Sequence, residues 1–152
     1  MDDEFINNLG NAVLTQRRKA HNGVNNPAFL KGPDGRYYLY YKSAKAKYGV
    51  AIADKLEGPY KHHPERVTKN DKNIEDGYAF MYKGSFCLLT TDNHGTIESG
   101  GGLLWVSSDG INFDKPVQGF KHLKKYLSSE QVKNSKAVYG GKVKLERPQL
   151  LL

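Results

Sequence analysis

One pattern constrains this chain more than any other: a strand, a tight turn, a second strand, a loop and a third strand recur about fifty residues apart. From Ile74 to Gly110 the sequence reads IEDGYAFMYKGSFCLLTTDNHGTIESGGGLLWVSSDG. It carries two carboxylates, an alternating strand, a hairpin turn at Lys83-Gly84, a longer strand, a Gly-rich connection and a third strand closed by Ser-Asp-Gly. The same order runs from Asn25 to about Tyr60 and starts again at Glu146. One small sheet cannot bury both of its faces, whereas stacked copies can, so the repeat predicts an all-β fold of the propeller type.

A closed propeller has at least four blades, and two complete four-stranded units plus the first strand of a third are legible here. The sequence also stops on Leu150, Leu151 and Leu152 with no turn or polar cap, as a strand cut short would. The expectation is one partial propeller domain over 1–152, with an arm at 1–23, blades at 24–61 and 74–116, and the start of the next blade at 145–152. Uncovered blade faces would favour a homo-oligomer, or blades supplied by another chain.

Composition agrees with the pattern. Ten Tyr, six Phe and sixteen Gly among 152 residues suit an aromatic-rich β domain with many turns. The net charge of +7 is spread over turns and strand edges, where Lys also discourages edge pairing, so nucleic acid is not the expected partner. The single cysteine, Cys87, excludes an internal disulfide and a cysteine-based zinc site, and its place in FCLL predicts a buried, inert thiol. MDDEF is acidic where a signal peptide needs positive charge, and no apolar run approaches a membrane span. A soluble chain without cofactor or metal is expected, its compartment open.

Along the chain, Phe5, Ile6, Leu9 and Val13 have roughly helical spacing, with acids before them and Arg17, Arg18 and Lys19 after. Asn7, Asn8, Gly10 and Asn11 oppose a helix, leaving a short helix or an irregular arm, and His21-Asn22-Gly23 is a turn signal. In the first unit Gly32-Pro33-Asp34-Gly35 is the hairpin turn before RYYLYYK. In YGVAIAD, Val50 and Ile52 share one face and Ala51 and Ala53 the other. Residues 62–73 read as a polar, solvated link, its adjacent His62 and His63 included. In the second unit INFDKP follows SSDG, and residues 119–135 read as an inserted segment in which Phe120, Leu123 and Leu127 could face one way on a short helix before Val138-Tyr139-Gly140-Gly141 breaks it. Trp105 alternates with Leu104 and Val106 and reads as core packing rather than a sugar platform.

In a propeller the first strand of each blade lines the central channel, so the residues just before those strands surround one mouth. They are Asn25 and Asn26, Glu75 and Asp76, and Glu146 and Arg147. Carboxylates from different blades are what glycoside hydrolysis needs, one protonated for the leaving oxygen and one ionised. The competing reading is that these residues cap strand ends or pair with Arg147. Asp92 and His94 in TTDNHG could face the same mouth and bind sugar, or serve only to shape a turn. Gly100-Gly101-Gly102 leads into a strand and lacks a phosphate-loop context.

NNPAFLKGPDGRYYLYYKS, YGVAIADKLEGPYK, the IED of the second unit, SSDGINF and ERPQLLL together resemble the five-bladed β-propeller glycoside hydrolases, the family 43-like group and relatives such as family 117. The resemblance covers residues 24–152. It implies a carbohydrate substrate, cleavage commonly with inversion, and full-length relatives that are secreted or periplasmic. By the same resemblance Asp76 matches the Asp of a blade-opening Glu-Asp-Pro motif and Glu146 the acid of Glu-Arg-Pro, making these two the catalytic candidates. Asn26, Glu75, Asp92, His94 and Arg147 are the candidates for substrate binding. Gly77 stands where the pattern has proline, which removes a φ restraint from the strand opening. The resemblance places the general base in an earlier blade, with no counterpart in this sequence. The expected function is therefore a glycosidase or a fragment of one, with Asp76 and Glu146 projecting into a common polar mouth. The alternatives are a non-catalytic carbohydrate-binding propeller remnant and, further off, a basic adaptor for anionic polymers.

Overall fold

The computed structural model describes residues 25–43, 47–138 and 145–150. The arm at 1–23, the turn at His21-Asn22-Gly23 and the break at residues 139–141 lie outside the described residues. The rest forms two four-stranded antiparallel sheets in simple sequence order. The first holds β1 (Asn25–Lys31), β2 (Tyr37–Lys42), β3 (Tyr48–Ala53) and β4 (Lys61–His62); the second holds β5 (Ile74–Tyr82), β6 (Ser85–Asp92), β7 (Gly101–Ser107) and β8 (Val117–Phe120). Both inner hairpins close on the turns the sequence marks. Lys83 and Gly84 adopt φ of 47° and 78°, the left-handed pair of a two-residue hairpin turn. In the other, Asp34 accepts hydrogen bonds from the Arg36 amide and guanidinium and from the Tyr38 hydroxyl.

Successive strand side chains point to opposite faces, and here one face of each sheet meets the other sheet. Tyr38, Tyr40, Tyr48 and Val50 pack with Phe86, Leu88, Leu103 and Trp105 in a shared core. The opposite faces form separate clusters, Leu39, Tyr41, Ala51 and Ala53 on the first sheet and Phe80, Cys87 and Leu89 on the second. Trp105 is 1% exposed, and its indole N–H donates to Thr90 Oγ1 at 3.0 Å, so the ring is core. Cys87 is buried.

Three expectations shift. The outer strand of the second sheet is β8, one segment later than a blade ending at 116. Phe113 of INFDKP instead fills the shared core, and the Phe120 ring lies over Gly102, where a Cβ would stand 1.9 Å from it. The helix correspondingly starts later, as α1 (Ser129–Val138). Ser128 and Gln131 form a reciprocal capping box, each side chain bonded to the other's amide, while Leu123 sits in a preceding 3-10 turn. The link after β4 is not solvated throughout. Because β4 pairs with only Ala51 and Ile52, the start of β3 needs other partners. The Val67 amide bonds Tyr48 O, Thr68 Oγ1 accepts from the Tyr48 amide, and Val67, Thr68 and Asn70 are buried. His62 belongs to β4, with its Nδ1 2.6 Å from the Tyr41 hydroxyl.

Residues 145–150 pair with no strand among the described residues. No helix there is long and apolar enough to cross a membrane.

Candidate active site

The pairing of β1 with β2 slips between Asn25 and Ala28, and that of β5 with β6 slips between Glu75 and Tyr78. Each slip is a bulge containing a left-handed residue, Asn26 at φ 51° and Asp76 at φ 54°. Arg147, at the matching position of the third unit, has φ 54° as well. Left-handed backbone costs an L residue about 1–2 kcal/mol, so it persists where surrounding contacts hold it. The same three residues line a pocket of about 450 Å³, together with Phe29, Tyr78 and Gln149 among others.

Asp76 is half-buried there. Its Oδ1 accepts from Asn26 Nδ2 at 2.5 Å, and its Oδ2 lies 3.5 Å from Thr91 Oγ1, a long contact. The residues one position earlier behave differently. Glu75 forms an ion pair with Lys42 Nζ that ties β5 to the end of β2, and Glu146 is exposed. Neither lines the pocket, nor does Asn25. Asn26, Asp76 and Arg147 line the pocket, whereas the residue before each of them does not. Of the two carboxylates expected at a shared mouth, Asp76 lines this pocket and Glu146 is not among its lining residues.

Asp92 and His94 do not reach the pocket either. Asp92 is fully buried and accepts from the amides of Thr96, Ile97 and Glu98 at 2.8, 2.8 and 3.0 Å, which makes it the organiser of its own loop. His94 is exposed, with its Nε2 3.2 Å from Asn73 Nδ2. Among the described residues no three His, Cys, Asp or Glu side chains gather as metal ligands would.

No family model matches the sequence. Among curated proteins, an extracellular endo-α-(1→5)-L-arabinanase of Thermotoga petrophila is 34% identical over 64 residues, 39% of this chain and 14% of that protein. Xylosidase/arabinosidase 43A of Humicola insolens is 40% identical over 62 residues, 34% of this chain and 19% of that protein. Among solved structures, a family 117 glycoside hydrolase of Zobellia galactanivorans has a TM-score of 0.52 at 24% identity, over 64% of this chain and 33% of that one. A family 43 β-xylosidase/α-arabinofuranosidase from a compost metagenome has a TM-score of 0.53 at 15% identity, over 67% of this chain and 38% of that one. The chain resembles the propeller glycoside hydrolases of families 43 and 117. It spans a minor part of the length of each of these relatives.

Against that resemblance, the glycine at position 77 acquires a reason. A Cβ there would stand 2.7–2.9 Å from the ring edge and hydroxyl of Tyr48, and the Gly77 amide donates to that hydroxyl at 2.6 Å. Proline would supply the clash and remove the donor. Tyr48 is wholly buried, and burial pushes its phenol far above the ordinary tyrosine range; the Gly77 amide opposes the shift while Asp76 and Glu75 add to it. The hydroxyl therefore stays protonated. Sequence reasoning missed Tyr48, one tyrosine among ten. The one signal for it was Gly77 in place of proline.

Proposed function

We propose that the chain is a glycoside hydrolase, or a portion of one, whose pocket takes an oligosaccharide containing arabinose or xylose. In this reading the two sheets are successive blades of a five-bladed ring, as their likeness to the family 43 and 117 structures suggests. The observation that carries the proposal is the pocket formed where equivalent left-handed residues of three units bring an amide, a carboxylate and a guanidinium together. The choice of sugar rests on the names of the curated relatives, an arabinanase and a xylosidase/arabinosidase.

The chemistry follows from the lining. Asp76, held by Asn26, accepts hydrogen bonds from sugar hydroxyls and places negative charge beside a developing oxocarbenium ion, while Arg147 and Gln149 donate to ring substituents. Phe29 and Tyr78 offer aromatic surface for a sugar face. Inversion requires two carboxyl groups about 6.5–9.5 Å apart. Asp76 is the carboxylate among the described lining residues, and in this reading the second comes from a further blade. This chain accordingly binds saccharide and hydrolyses it slowly, since acid–base assistance is worth about 100- to 10,000-fold.

The same lining favours a second reading, a carbohydrate-binding propeller without catalysis. Calorimetry with arabinotriose and xylotriose, alongside assay of reducing-end release, separates them. Binding with slow release that Asp76→Asn abolishes supports the hydrolase. Binding with no release supports the second reading, and no binding of either sugar refutes both.

A further inference from the structure

We propose that Tyr48 is the positioning residue of this pocket: its hydroxyl ties the backbone at Gly77 to the backbone at Asn26 and so holds the Asp76 carboxylate at the mouth. The inference rests on the reading of the pocket as a saccharide site. Both left-handed residues need a restraint, and Tyr48 meets both strand openings. Its hydroxyl accepts from the Gly77 amide at 2.6 Å and donates to the Asn26 carbonyl oxygen over a longer 3.4 Å. The backbone that carries the phenol is itself anchored, because the Tyr48 amide donates to Thr68 Oγ1 and the Tyr48 carbonyl accepts from the Val67 amide. A rigid post therefore rises from β3 to the peptide that follows Asp76. Gly77 is its complement, being the residue that provides a donor and no Cβ where the ring edge stands 2.7 Å away. Without the hydroxyl, the Gly77 amide loses its partner and the adjoining peptide is free to rotate, which relaxes Asp76 toward ordinary strand geometry and swings its carboxylate off Asn26.

The test is Tyr48→Phe in the full chain, isotopically labelled for nuclear magnetic resonance, with Tyr40→Phe as the control. Tyr40 is an equally buried tyrosine whose hydroxyl bonds the Gly110 carbonyl at 2.8 Å, away from the pocket. Tyr48→Phe is expected to quicken Gly77 amide exchange, move the Asp76 Cα and Cβ shifts out of their left-handed range, and weaken xylotriose binding about tenfold. Tyr40→Phe should leave all three unchanged. Unaltered Asp76 shifts and Gly77 exchange in a folded Tyr48→Phe chain would overturn the proposal. If that variant does not fold, the wild-type chain decides, because the Gly77 amide must exchange more slowly than that of Gly84 at the hairpin tip, and equal rates would refute it. A wild-type chain that binds no saccharide would sink the functional reading, while the shift and exchange data would still judge the role of Tyr48.

Discussion

The seam between the two sheets ends in two ways. At one end it is closed: Tyr38 packs on Phe86 with ring centroids 4.9 Å apart, Tyr40 stands edge-on to Phe113, and the Tyr40 hydroxyl donates to the Gly110 carbonyl. At the other it is open: Tyr48 reaches Gly77 and Asn26, Asn26 bonds Asp76, and a pocket remains. Both ends use a buried tyrosine that bridges the sheets. The closed end has apolar rings against rings, which gain from burial whatever their exact register. The open end has left-handed backbone and a half-buried carboxylate, which cost stability and are kept in place by hydrogen bonds. Stability should therefore follow the closed end and ligand affinity the open one.

The largest expected effect erases the distinction. Trp105→Ala, in the middle of the seam, should cost about 3–5 kcal/mol, read as a lowered urea midpoint, and weaken both ends together. A loss below 1 kcal/mol would mean that the ring is not core. Asp76→Asn should then divide the ends, with at least a tenfold loss of trisaccharide affinity, equivalent to about 1.4 kcal/mol, and an almost unchanged melting temperature. Tyr40→Phe is its mirror, costing about 1 kcal/mol of stability and no affinity.

The smallest effect is a pH dependence at the closed end. What desolvation the exposed Asp109 carboxyl suffers opposes its ionisation, but the Asn112 amide and side chain, the Ile111 amide and Ser107 outweigh it and hold this carboxyl well below the usual range. A depressed folded value stabilises the fold above the unfolded carboxyl's pKa of about 3.9, and that contribution fades as pH falls through the folded value. The stability gap between wild type and Asp109→Asn should be constant near neutrality and shrink in acid. A gap that widened in acid would mean that the loop does not favour the ionised form.

How far the sequence disclosed this follows from the range of the interactions. Period-two runs and Asn-, Asp- and Gly-containing turns act within a few residues, so the hairpins at Gly32–Gly35 and Lys83-Gly84 and the alternation of Val50 with Ala51 could be read directly. The equivalence of Asn26, Asp76 and Arg147 was legible because the repeat carries it. Which member of each pair faces the pocket was not, since a bulge shifts the alternation by one residue and leaves no compositional trace. Asp92 was open to two readings, sugar ligand or turn residue, because the three amides that decide for the turn lie in a loop with no pattern of its own. β8 was hidden for a similar reason: VQGF has little strand character, and the Phe120 ring finds its place over Gly102 of β7, where no side chain stands.

The central claim is that the open end of the seam is where sugar binds. Backbone amide shifts of the full chain, followed as arabinotriose or xylotriose is added, test it most directly. The account predicts movements concentrated at residues 26–29, 76–79 and 147–149 that disappear in Asp76→Asn. Movements centred on residues 93–98 or around Gly110, or persisting undiminished in Asp76→Asn, would contradict it.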